Sequence, residues 1–109
     1  MTVNNTNPLI PADFADTFGV ITQGAADVEI RARNNERWFL VTYQNGYTAS
    51  VVRHNGSYGH KDGLWEVAVC RGDGGVACDT PITNDVIGYA DNEQVQAVCK
   101  EIAALPKSA

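Results

Sequence analysis

A chain of 109 residues, 44% hydrophobic and 19% charged, is sized for one domain with a core of its own and lacks the composition of a disordered segment. Its net charge of −5 disfavours long-range attraction to phosphate, which argues against nucleic acid as a partner, and no apolar run approaches the ~20 residues that span a bilayer. Cys70, Cys78 and Cys99 are odd in number and lack CxxC spacing, the pattern of reduced thiols in a cytoplasm.

Residues 1–8, "MTVNNTNP", have no basic cluster and no apolar segment behind them, so they read as a flexible lead-in and not as a secretory signal. Residues 9–109 read as a single α+β domain. In "IPADFADTFG", Pro11 suits a first helical position and Gly19 a C-terminal cap, with Phe14 and Phe18 on one face of a short helix. From Asp27 the period changes to two. "VEIRAR" sends Val28, Ile30 and Ala32 one way and Glu29, Arg31 and Arg33 the other, as a half-exposed strand does.

"NNER" is a turn, and "WFLVTY" is aromatic and β-branched, as a strand should be. Asn45-Gly46 between two β-rich runs predicts a two-residue type I′ hairpin, in which both positions take φ > 0. Pairing Gln44 with Tyr47 then sets Trp38 opposite Arg53, Phe39 opposite Val52, Leu40 opposite Val51 and Val41 opposite Ser50. One face would carry Phe39, Val41, Tyr43 and Val52, and the other Trp38, Leu40, Ala49 and Val51. With both faces apolar, the pair should be covered on both sides.

"LWEVAVCR" is the next strand, "GDGG" a turn and "VACDT" a short fifth strand, while "PITNDVIGY" reads as irregular. "DNEQVQAVCKEIAAL" is a helix: Asp91 and Gln94 form a capping-box pattern, and Val95, Val98, Cys99, Ile102 and Leu105 make one apolar stripe. Burying five such side chains is worth roughly 8–15 kcal/mol gross, so the helix must dock on the sheet. The fold class is therefore α+β: an antiparallel four- or five-stranded meander, with the C-terminal helix on one face and a short N-terminal helix. The second face needs the N-terminal segment or a second subunit, and a C2 homodimer is the commonest such solution.

Charge is uneven along this order. Residues 1–30 hold four acids and no bases, residues 31–71 six bases and three acids, and residues 72–109 two bases and six acids. Acidic flanks leave a basic protein open as a partner.

The candidate chemistry gathers in "HNGSYGHKDG", His54–Gly63, a connection longer than a hairpin needs. His54, His60 and Asp62 could serve a metal or acid–base centre, but their spacing matches no standard metal motif. No metal, cofactor or catalytic residue is assigned. The preferred reading is an exposed, mobile recognition loop with Arg53, His54, Tyr58, His60 and Lys61 as contact residues, Tyr58 and Arg53 chiefly, since hot spots favour Tyr and Arg. "RGDGG" lacks the helix and Lys of a P-loop. Asp79, Thr80, Thr83 and Asp85 read as a polar turn. Cys78, Cys99, Trp38 and Trp65 read as packing residues.

"NGYTASVVRHNGSYGHKDGLWEVAV", followed by "DTPITNDVIGY", resembles a group of small uncharacterised phage and prophage proteins sharing an NGY…SV-RH…SYG…GLWE-A core and a TPIT-DVIGY tail. The match spans roughly Asn45 to Tyr89. The resemblance implies a bacterial host cytoplasm and brings no catalytic residues with it. The expected function is that of a phage accessory protein, not an enzyme, which binds a host or antiviral-defence component. The alternatives are a small-molecule or nucleotide binder, with or without hydrolytic activity, built on the His54–Gly63 loop, and a virion or assembly component.

Overall fold

The structure, a computed structural model, describes residues 8–57, 59–71 and 86–107. Five antiparallel strands form one sheet in chain order: β1 (Asp27–Arg33), β2 (Glu36–Thr42), β3 (Thr48–Arg53), β4 (Trp65–Cys70) and β5 (Val86–Ala90). A 3-10 turn (Ala12–Phe14) and α1 (Ala15–Ile21) precede the sheet, and α2 (Asn92–Ala103) follows it. This is the α+β meander expected from the sequence.

Helix α1 runs through Gly19, which the sequence suggested as its cap. The reason is the buried stripe. Phe14, Thr17, Phe18 and Ile21 recur at helical spacing, and burial of Ile21 outweighs the roughly 1 kcal/mol that an internal glycine costs. The left-handed glycine that follows the helix is Gly24, at φ 74°. In α2 the local signals hold: the Asp91 carboxylate accepts the Gln94 N–H at 2.8 Å, and Val95, Val98, Cys99 and Ile102 are buried.

The β2–β3 hairpin is not type I′. The Tyr43 N–H donates to Tyr47 O and the Gly46 N–H to Tyr43 O, which closes a three-residue loop of Gln44, Asn45 and Gly46. Of these only Gly46 has positive φ, at 90°, the geometry of a type I turn closed by a left-handed glycine. Trp38 therefore pairs with Val52, Phe39 with Val51, Leu40 with Ser50 and Val41 with Ala49. A slip of one residue sends the whole of β3 to the other face. Ala49 and Val51 join Phe39 and Val41 in the core, whereas Ser50 and Val52 join Trp38 and Leu40. The longer loop leaves Ser50 outside the core.

Residues directly opposite share a face. One face thus carries Ile30, Phe39, Val51, Val67 and Ile87 in one row and Val28, Val41, Ala49 and Val69 in the next. Both helices pack on this face. Phe14 stacks on Phe39 at 5.1 Å and lies 4.2 Å from Trp65. Among the described residues no element packs on the opposite face, which carries Trp38, Leu40, Ser50, Val52, Glu66, Ala68 and Cys70.

"VIGY", part of a stretch read as irregular from its sequence, lies within β5. Ile87 pairs with Val67 and Ala90 with Trp65, and the ladder shifts between them. Tyr89, at φ 55°, lies in the bulge that takes up the extra residue. The expected strand "VACDT", the "GDGG" turn, Cys78 and the Asp79–Asp85 cluster lie outside the described residues, as do residues 1–7 and Tyr58.

Candidate binding surface: the helix-free face and the loop beside it

The connection from β3 to β4 is built on itself. Ser57 is buried; its hydroxyl accepts the His54 N–H at 3.0 Å and donates to His54 O at 2.9 Å. The Leu64 N–H and Asp62 N–H both donate to Gly59 O, closing a 3-10 turn at His60–Asp62. Gly59 takes φ 88° and is buried, and a Cβ there would sit 3.0 Å from both Leu64 Cβ and Tyr89 Cα. Glycine is required at that position by both its dihedral and its neighbours. The loop expected to serve recognition is tied by these hydrogen bonds and packs against β5 at Gly59, with Asn55, Gly56, Lys61, Asp62 and Gly63 exposed.

Its two histidines carry opposite tautomers. His54 Nδ1 accepts the Gly56 N–H, so the ring's proton sits on Nε2. His60 Nδ1 faces Ser57 O at 3.0 Å and must donate, which leaves Nε2 as its acceptor. The His54 ring also stacks on Trp38, 5.4 Å between centroids and 18° from parallel.

Arg53, one of the expected contact residues, sits on the helix-covered face. Its guanidinium lies 4.3 Å above the Trp65 ring, donates to Gly63 O at 3.0 Å and pairs with Asp13 at 3.4 Å. It caps the end of the core. Lys61 is exposed and His60 half-exposed on the loop's crown. His54, His60, Lys61 and Arg53 do border one cleft, of about 460 Å³, together with Asn35 and Glu36.

Glu36 organises the floor of that cleft. Its carboxylate accepts the Asn55 N–H at 2.8 Å and the Arg33 guanidinium at 2.8 Å. The Asn55 N–H first, and Arg33 next, hold the carboxyl below the usual carboxylate range. Among the described residues no cluster of three or more His, Cys, Asp or Glu could hold a metal ion.

The sheet's open face adjoins this loop through the Trp38–His54 stack. Trp38, Leu40 and Cys70 are half-exposed there, Val52 and Ala68 nearly covered by their neighbours, and Glu29, Arg31 and Arg33 stand along its β1 border. Counting β3 from the correct register would have placed Val52 and Ser50 on this surface. The pairing of Asn45 with α2, which fixes that register, leaves no local trace in the sequence.

A second concavity, of about 610 Å³, separates α1 from α2 above Tyr43 and Cys99. The Tyr43 hydroxyl donates to Ile21 O at 2.6 Å. Burial pushes the Cys99 thiol up to about 12 and raises the Tyr43 phenol as well, so both are neutral packing groups at physiological pH. No family model, no curated protein and no solved structure matches the chain. Among the described residues no helix is long and apolar enough to cross a membrane.

Proposed function

We propose that this chain is a small phage-encoded accessory protein that acts by binding, holding a protein of its bacterial host or of the host's antiviral defence against its helix-free sheet face. One observation carries the reading: a half-exposed Trp38, stacked on His54 and flanked by Leu40 and Val52, faces outward while both helices lie on the other side. An aromatic and aliphatic patch rimmed by charged side chains is the composition of a protein interface, with Trp38 as its anchor. The bacterial setting rests on the resemblance of residues 45–89 to phage and prophage proteins.

The test is affinity capture from bacterial host lysate with matched variants. Trp38→Ser and Leu40→Lys remove the patch, and Val20→Ser alters an exposed apolar residue of α1 on the far side. A partner retained by wild type and Val20→Ser but lost from both patch variants supports the reading. Equal retention by all four proteins contradicts it.

A second reading is favoured by the cleft beside the loop, where Lys61 and the Nε2–H of His54 could meet a small anion such as a nucleotide phosphate. Glu36, held anionic at its floor, opposes this. Titration with ATP and with inorganic phosphate, read in the His54 and His60 ring resonances, separates the two readings.

A further inference from the structure

We infer that β1 pairs edge to edge with β1 of a second copy of this chain, antiparallel and centred on Ile30, to give a two-fold dimer with one sheet running through both copies. Strand β1 is an edge of the sheet, with six of its seven residues exposed and only Ile30 half-buried. It pairs with β2 without interruption along its whole length, so no bulge twists it away, and it contains no proline. Bulges and prolines are two of the devices that blunt an edge; charged side chains are another, and β1 carries Asp27, Glu29, Arg31 and Arg33, but in an order of signs that a second copy of the same strand can satisfy.

The outward hydrogen-bonding groups can be read from the hairpin. The Tyr43 N–H donates to Tyr47 O, so the odd-numbered residues of β2 face β3 and the even-numbered ones face β1. Their partners Asp27, Glu29, Arg31 and Arg33 turn their backbone groups toward β2. Val28, Ile30 and Ala32 therefore turn theirs to the open edge. Antiparallel pairing about Ile30 sets Ile30 against Ile30 of the second copy and Val28 against Ala32, each pair exchanging both N–H···O bonds.

The side chains agree with that axis and with no neighbouring one. About Ile30, Glu29 meets Arg31 of the second copy and Asp27 meets Arg33, each twice by symmetry. These are the pairs without backbone bonds, where opposed side chains lie closest. The run Asp-Val-Glu-Ile-Arg-Ala-Arg is self-complementary in charge under a two-fold and apolar on its other side. Moving the axis by one residue to Arg31 would oppose Arg31 to itself and Asp27 to Asn35, keeping only Glu29 with Arg33, and moving it to Glu29 would oppose Glu29 to itself. In the dimer the two helix-free faces lie side by side as one surface. The inference stands whether or not that face binds a partner.

The experiment is sedimentation velocity of the full chain at low ionic strength, with charge reversals on β1. Wild type should form a reversible dimer that weakens with salt. Glu29→Arg and Arg31→Glu should each raise the dissociation constant about tenfold or more, because like charges then oppose one another. Mixed in equal amounts, the two variants should dimerise as well as wild type does, since every Glu again meets an Arg, and that recovery also shows that both are folded. A monomer up to about 1 mM, the weak end of specific association, overturns the inference. So does a dimer that neither reversal weakens, or a mixture that does not recover.

Discussion

The Arg53 guanidinium lies 4.3 Å above the centre of the Trp65 ring, and the Trp65 indole is only 1% exposed. The arginine's methylene stem and charge close one end of the core, and Phe14 packs on the ring as well. Arg53→Ala should therefore lower the stability of the fold by about 1–2 kcal/mol, through lost packing and cation–π attraction. Urea denaturation measures this. A change below about 0.5 kcal/mol, typical of a surface position, would mean that the arginine is free for contact.

Asn45 decides the hairpin. Its Nδ2 donates to Ile102 O at 2.8 Å and Leu105 O at 3.0 Å, carbonyls at the end of α2, while its Oδ1 accepts the Tyr47 N–H. In a type I′ turn Asn45→Gly would be close to neutral. Here the substitution should cost about 1 kcal/mol or more, because those hydrogen bonds disappear. Thermal or urea unfolding of the single variant distinguishes the two turns.

Gly59 should tolerate nothing larger. Gly59→Ala must adopt φ 88° and push against Leu64 and Tyr89, at a cost of about 1–3 kcal/mol. Gly19→Ala, in open space within α1, should instead stabilise by up to about 1 kcal/mol. Opposite signs for these two glycine-to-alanine changes are the expected result, read from unfolding midpoints.

Glu36 makes stability depend on acid. Its carboxyl in the folded chain titrates below its ordinary value of 4.5, so the folded state favours the charged form. The stabilisation is complete above the unfolded value and is lost as pH falls through the folded one. Wild type should lose stability below pH 4.5 more steeply than Glu36→Gln, whose side chain does not titrate there. Parallel curves would show that the carboxylate's bonds to Asn55 and Arg33 contribute nothing.

What the sequence disclosed was local. Helix α2 is written in Asp91, Gln94 and a stripe of 3.6-residue period, and β1 in strict alternation, since both signals lie within one element. The hairpin register was not legible, because Asn45-Gly46 suits two turns and the choice falls to a helix 57 residues away in sequence. That slip misplaced Val51 and Val52, and with them the open face. The place of Arg53 was hidden for a related reason: arginine is a surface residue by type, yet strand parity puts it beside Phe39 and Val51. The loop's glycines signalled unusual backbone, but only Tyr89, whose strand was read as irregular, shows what Gly59 accommodates.

The most direct measurement is methyl NMR of the isotopically labelled chain, free and with a captured partner bound. Adjacent residues supply the contrast: Leu40 and Val52 point to the helix-free face, Val41 and Val51 into the core. Binding through the helix-free face should shift the Leu40 and Val52 methyls, while Val41, Val51 and the Val20 methyls of α1 stay near their free positions. Shifts concentrated at Val20, Ala97 and Ala103, with Leu40 and Val52 unmoved, would place the partner in the groove between the helices and contradict the proposal.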